Sequence, residues 1–304
     1  MTCMDATLVE LLNAFKSVAM TLALIVFLCG LRQRGAAPWG ATPMEAWMTK
    51  LPQITLIFWI LKIAATTLGE TGGDLIAQTM NVGYLTSSLI LVGVFGLTLV
   101  TQLSVKTCQP ILYWTVILST SMAGTTISDF MDRTLQLGYA RGAAVLVTAL
   151  AGVFVIWKFS GYSFNVVDVS STGGELLYWS AILFSNTLGT AFGDYLADSS
   201  GLGFGGSALL VASGIVLIAL AMRFTSISHT LLFWMAFVLT RPLGATVGDF
   251  FSKPAAKGGL GFGTIGSSAV LLAVLVALIC YGYWQRRQVA FALAATPLPQ
   301  ASTP

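Results

Sequence analysis

Five acidic residues lie in stretches too apolar to face water, and four of them recur at a fixed spacing. Trp59, Gly69 and Asp74 form one set, and Trp114, Gly124 and Asp129 a second. Trp179, Gly189 and Asp194 form a third, and Trp234, Gly244 and Asp249 a fourth. In every set the glycine follows the tryptophan by ten residues and the aspartate follows it by fifteen. Glu70 adds a fifth acid four residues before Asp74. On a helix those two carboxylates share a face and repel one another. A cation, a proton or a basic partner must compensate them. A charge at membrane depth costs ~2.5 kcal/mol or more on insertion scales, which marks such groups as functional. Hard oxygen ligands suit Mg²⁺, Ca²⁺ or Mn²⁺. Carboxyl groups also relay protons in pumps and transporters.

The faces of the helices that carry these acids follow from about 100° of rotation per residue. Positions seven, four and three before each Asp lie on its side. Asp74 is joined there by Thr67, Glu70 and Thr71, and Asp129 by Met122, Thr125 and Thr126. Asp194 is joined by Thr187, Thr190 and Ala191, and Asp249 by Pro242, Ala245 and Thr246. A lipid-facing stripe would be Leu, Val and Phe. This one is small, hydroxylated and acidic, so it is expected to face the bundle interior. The candidate metal ligands are Asp74, Asp129, Asp194, Asp249 and Glu70. Thr67, Thr71, Thr125, Thr126 and Thr190 are candidate supporting oxygens. Lys62 and Arg241 are the only basic residues well inside the predicted first helices. They are candidates for charge balance, either as partners of Glu70 or an Asp, or as ligands for an anion. Asp132 and Asp198, near the turns, read as caps. The tryptophans, near helix starts, read as interfacial anchors.

The elements that must position these residues span a membrane. Of 304 residues, 56% are hydrophobic and 9% charged, with a net charge of +3 and a mean hydropathy of +0.84. A soluble domain carries about 25% charged residues. The composition therefore excludes a soluble enzyme, a basic nucleic-acid-binding domain and a disordered chain. Four cysteines are scattered without short spacings, and there is one histidine, His229. A disulfide framework, a thiolate site and a His-based centre are not expected. No cofactor is expected. No Ser/His/Asp set is visible, so an enzyme is not expected either.

Each repeat has room for two spans of about 20 residues. First helices are predicted near 53–78, 110–133, 175–198 and 230–252, and second helices near 84–104, 139–157, 205–222 and 263–284. A two-helix unit returns the chain to its starting side, so the four units are parallel and their Asp residues lie at similar depth. The predicted class is an all-α, polytopic membrane bundle of eight helices. The repeats occupy about 50–106, 107–160, 174–224 and 228–287 within a domain of 48–287. Residues 1–47 form an N-terminal extension. Its short apolar segment, 17–31, reads as a ninth helix, a signal segment or upstream leader. Residues 288–304 read as a disordered tail. Six Lys/Arg flank the units at one side (Lys50, Lys106, Lys158, Arg223, Arg286, Arg287) against four in the internal turns (Arg133, Arg141, Lys253, Lys257). This bias places both ends of the repeat region in the cytoplasm.

The chain resembles a bacterial inner-membrane family of unknown function built from four tandem two-helix repeats, each with a Trp. The resemblance rests on Trp59, Trp114, Trp179 and Trp234 with the runs TTLGETGGD (66–74), SMAGTTISD (121–129), NTLGTAFGD (186–194) and RPLGATVGD (241–249). It covers about residues 50–285 and implies a location in the bacterial inner membrane. The extension of 47 residues departs from what that family implies. The run from Glu70 to Asp74 is also similar to the Glu-x-Gly-Asp signature of small manganese/calcium exporters. It has one residue more between Glu and Asp, and the other units lack the Glu.

The expected function is a transporter of a divalent metal cation such as manganese, working as proton-coupled efflux. Its expected partners are the lipid bilayer, the transported cation and protons, without nucleic acid; homo-oligomers stay open. The alternatives are a transporter of a small organic solute or anion that uses the acids for proton coupling, and a membrane sensor or scaffold.

Overall fold

The structure, a computed structural model, describes residues 54–105, 109–166, 169 and 171–295, with side chains up to residue 285. The apolar segment 17–31 lies outside the described residues. The four first helices are α1 (Leu56–Asp74), α3 (Pro110–Asp129), α5 (Thr172–Asp194) and α7 (His229–Ser252). The four second helices are α2 (Tyr84–Ser104), α4 (Tyr139–Phe159), α6 (Gly203–Phe224) and α8 (Gly263–Ala295). Local signals set the starts. The Thr55 hydroxyl accepts from the Phe58 amide, Pro110 opens α3, and the Ser171 hydroxyl accepts from the Gly174 amide. α8 runs to Ala295, past the expected start of the tail, because its Ala-rich sequence favours helix up to Pro297.

α1, α3 and α5 each continue into a single π-helical turn: Leu75–Thr79, Phe130–Thr134 and Tyr195–Ser199. The chain then reverses at Gly83 and Gly138, whose φ of 80° and 72° lies in the region that favours glycine. The fourth unit differs. Pro254 ends the helical path, a short 3₁₀ turn (Ala255–Lys257) follows, and the return helix starts late.

The first helices form a closed ring. α1 packs on α3 and α7, and α5 packs on the same two. Each second helix passes its own first helix and lies on that of the next unit: α2 on α3, α4 on α5, α6 on α7, and α8 back on α1. The units therefore interlock cyclically, and the last helix closes on the first.

Glycine sets the spacing of this ring. A Cβ on Gly69 would lie 2.5 Å from the Ser121 Cβ, and one on Gly124 2.9 Å from the Asn186 carbonyl carbon. One on Gly189 would lie 2.5 Å from the Arg241 Cβ, and one on Gly244 2.8 Å from the Thr66 Cβ. In each case the glycine ten residues after one tryptophan meets the residue seven after the next. Equal levels touch all the way round, so the four helices run parallel. Gly73, Ser128, Gly193 and Gly248 stand four residues further on. Each ring helix thus carries a small-xxx-small pair, the motif that lets membrane helices cross closely and right-handed at about −40°.

The outer layer is apolar. Leu89, Leu97 and Val100 of α2 are exposed, as are Ile156 of α4 and Leu217 of α6. Among the described residues, five helices (α2, α4, α6, α7 and α8) are long and apolar enough to cross a membrane. These helices point to a membrane protein. The polar side chains are concentrated in the inner ring, which the outer helices wrap.

Glycine-to-alanine changes at ring seams should overpack them by about 1–3 kcal/mol. Gly124→Ala and Gly244→Ala are expected to lower the yield and thermal midpoint of folded protein in detergent. Gly93→Ala, which meets no atom within 4 Å, should not. Scanning fluorimetry of the three variants checks this.

Candidate functional site

Close crossing of the ring helices selects which side chains meet the axis. The interior row runs at intervals of four residues, as interdigitating i±4 ridges require. On α1 it reads Phe58, Lys62, Thr66, Glu70, Asp74; on α3 it reads Tyr113, Ile117, Ser121, Thr125, Asp129. On α5 it reads Tyr178, Ile182, Asn186, Thr190, Asp194; on α7 it reads Phe233, Phe237, Arg241, Ala245, Asp249. All twenty are 4% exposed or less. The interior is a stack of five layers, each with one residue per repeat.

The lowest layer is aromatic. Tyr113 and Tyr178 share a hydroxyl–hydroxyl bond of 2.7 Å, and Phe58 lies with its ring centre 6.4 Å from Tyr113 and 6.5 Å from Phe233. The tryptophans pack around this floor. Trp114, Trp179 and Trp234 are buried, and Trp59 partly so. This corrects their reading as interfacial anchors. Phe154 and Trp157 of α4, with Phe164, cover Trp234, whose indole N–H donates to the Phe164 carbonyl at 3.3 Å. Helix-start position alone does not reveal such cover.

The middle of the stack is an ion pair. Arg241 crosses from the fourth repeat to Glu70 in the first, Nη1 to Oε2, at 2.9 Å. The same carboxylate oxygen accepts from Thr125 at 3.2 Å and Thr190 at 3.1 Å. Arg241 also donates to the Thr66 and Ser121 carbonyls, at 3.4 and 3.2 Å, and to the hydroxyls of Thr125 and Thr190. All four repeats meet in this one network. Below it, Lys62 lies over the Phe237 ring, 4.0 Å from its centre.

The top layer holds the four aspartates. Arg133 bridges Asp129 at 2.8 Å and Asp194 at 3.2 Å. Lys253 bridges Asp249 at 3.3 Å and also contacts Asp74. Each cation sits four residues after its own Asp and reaches the Asp of the next repeat. Gln78, the same position in the first unit, donates to Asp74. Asp198 is the equivalent in the third and accepts from Tyr139 at 3.2 Å. The cations are partly exposed, Arg133 34% and Lys253 15%, so this layer lies at the mouth of the bundle. Glu70, Asp74 and Asp249 each place an oxygen within 4.8 Å of the others, a spacing that could hold a metal ion. Formally, four aspartates against two cations leave two negative charges in the layer, because Glu70 is balanced by Arg241.

The structure brings together Asp74, Asp129, Asp194, Asp249 and Glu70, with Thr125, Thr190 and Arg241. Other expected ligands are turned aside. Thr67 donates to the Ile63 carbonyl at 2.8 Å, and Thr126 to that of Ala123 at 3.2 Å. Thr71 donates to the Leu68 carbonyl at 3.4 Å and accepts from Ser268 at 2.9 Å. A wheel with equal weight on either side of the Asp chooses these residues; the tilt of close crossing instead brings the backbones of Thr66 and Ser121 to the axis, where their carbonyls accept from Arg241. Among the described residues, Lys62 pairs with no acid. Asp132 and Asp198 cap no helix: Asp132 accepts from Ser128 at 3.4 Å, and Asp198 takes the Tyr139 hydroxyl. Sequence reasoning missed Arg133 and Lys253, although a basic residue four after Asp in the second and fourth units is a readable signal.

The chain belongs to the family described as Repeat of Unknown Function (DUF347), whose pattern matches residues 57–107, 112–162, 177–228 and 232–288. No curated protein and no solved structure matches the chain.

Removing one partner of a buried ion pair strands the other at a cost of about 3–5 kcal/mol. Arg241→Met should therefore destabilise the protein severely. The double variant Glu70→Gln, Arg241→Met should recover much of the loss. Thermal midpoints of both variants and of Glu70→Gln alone complete the cycle.

Proposed function

We propose that this protein is a membrane transporter that exports a divalent metal cation, such as manganese, in exchange for protons. The observation that carries this reading is the aspartate layer, with its surplus of two negative charges and the oxygens of Glu70, Asp74 and Asp249 within 4.8 Å of one another. One divalent cation or two protons would neutralise that surplus equally. Cargo and protons then compete for the same carboxylates, and competition of this kind produces exchange. A cell that keeps its outside acidic drives protons inward, so exchange runs as metal export.

Lys253 has a defined part in this scheme. Its ammonium stands between Asp74 and Asp249, where the metal would bind, and it is the less tightly enclosed partner. It acts as a resident substitute ion that the cargo displaces toward the mouth. Arg241 takes no part in binding cargo. Its two Nη groups are engaged by Glu70, two threonines and two carbonyls, which also disfavours the reading as an organic-anion carrier. Below the aspartates, the ion pair, the Lys62 layer and the aromatic floor close the path.

Location belongs to the same proposal. Two of the four turn-side cations, Arg133 and Lys253, are engaged in internal ion pairs. Discounting them strengthens the bias that puts the tryptophan end in the cytoplasm of a bacterial inner membrane, with the aspartate layer facing outward.

Reconstituted protein should exchange Mn²⁺ against a proton gradient. Asp74→Asn and Asp249→Asn should each lower the rate roughly tenfold or more, the effect of losing ~1.4 kcal/mol of ion stabilisation. Trp179→Phe should be mild. Lys253→Met should be stabilised thermally by Mn²⁺ more than the parent protein is. No exchange with Mn²⁺, Mg²⁺ or Ca²⁺, or full activity of Asp74→Asn, would refute the proposal.

A further inference from the structure

A second charge stands unexplained three layers below the aspartates. Lys62 is 0% exposed and its Nζ has no hydrogen-bond partner. Its layer offers no acceptor: the other three members are Ile117, Ile182 and Phe237. Its one close polar contact is the face of the Phe237 ring. The charged side chain that acts on it is Arg241, of the same sign. Among the described residues the buried acid above Lys62 on the axis is Glu70, and its Oε2 already accepts from Arg241, Thr125 and Thr190. Two cations therefore compete for one carboxylate, and Arg241 holds it. An isolated buried charge costs several kcal/mol, so Lys62 stays an ammonium here only with an anion from outside the chain beside it.

Further unpartnered groups stand one turn above Lys62, in the Arg241 layer. The Nε–H of Arg241 is buried without an acceptor. The Asn186 amide oxygen Oδ1 is buried without a donor, and its N–H₂ donates to the Thr120 hydroxyl at 3.4 Å. An amide can be turned end for end without changing its shape, which lets Asn186 present its N–H₂ inward while still bonding Thr120. An ammonium, a guanidinium N–H and an amide thus border the same stretch of the axis. With Asn186 so turned, donors exceed acceptors, and with Lys62 protonated, positive charge is in excess.

We propose a binding site for a small monovalent inorganic anion of the halide class on the axis between Lys62 and Arg241. The anion balances Lys62 and takes the free Arg241 Nε–H. It holds the middle of the ring together while Glu70 stays with the guanidinium. The site stands apart from the aspartate layer, and it holds whether or not that layer carries metal.

The test uses full-length protein in detergent, with sodium bromide compared against sodium gluconate at equal ionic strength. Bromide should raise the thermal midpoint by roughly 2–4 °C at saturation, as binding to the folded state alone does. Lys62→Met should abolish that rise. Lys62→Met should nevertheless fold, since it removes an unbalanced charge and keeps the aliphatic stem. Lys62→Arg, which retains the charge, should keep a response. The same midpoint in bromide and gluconate for the parent protein, or an undiminished bromide response in Lys62→Met, would overturn the site. A failure of Mn²⁺ exchange would leave this outcome untouched, so the two proposals fail separately.

Discussion

Arg241 reaches from the last repeat to Glu70 in the first, and the rest of the bundle is arranged around making that contact affordable in a membrane. A guanidinium at that depth must be matched in charge and in hydrogen bonds. Glu70 supplies the charge. Thr125 and Thr190 from the two remaining repeats supply hydroxyls, and the ring backbones supply the Thr66 and Ser121 carbonyls. None of these groups could reach the others if the helices stood at an ordinary separation. The glycines at 69, 124, 189 and 244 bring the backbones together, and the ion pair and its threonines bridge what remains. Polar satisfaction and close packing are one constraint here.

The same geometry explains why a fourfold repeat ends in an unequal interior. Identical units would place four identical side chains in each layer, and four arginines or four glutamates on one axis would repel. The sequence breaks the symmetry where charge requires it. Arg241 stands opposite a threonine, a serine and an asparagine, and Glu70 opposite two threonines and an alanine. At the mouth the four aspartates keep the symmetry, and alternate units supply the cations, Arg133 and Lys253. Two seams of the aspartate layer are therefore bridged by a cation, and two are not. The surplus negative charge that this leaves is the basis of the transport proposal.

Much of this could be read from spacing. The Trp, Gly and Asp periods gave the number of units, their parallel sense and a shared depth for the acids, because duplication preserves intervals. Helix positions followed from apolar runs and were close. What the sequence hid were relations between helices. A helical wheel treats Thr67 and Thr66 as near equals around Asp74; both hydroxyls bond their own helix, and only the crossing of neighbouring helices brings the Thr66 carbonyl to Arg241 and its hydroxyl to the Thr240 carbonyl. Arg133 and Lys253 lie beyond the α-helical path of their aspartates or at its end, so they looked like loop charges. A π-helical turn, in the case of Arg133, folds the side chain back onto the layer. The tryptophans looked interfacial because nothing local shows that α4 and the segment after it cover Trp234.

Closure of the ring within one chain is the claim on which every layer depends. It predicts that Thr79 and Thr264, from the first and last units, stand side by side, with their hydroxyls 2.6 Å apart. The direct measurement is oxidative cross-linking of Thr79→Cys with Thr264→Cys, after the four native cysteines are replaced by serine. The account predicts rapid formation of an intramolecular disulfide, seen as a mobility shift of the monomer on a non-reducing gel. A pair that stays reduced, or that links only between two chains, would contradict it.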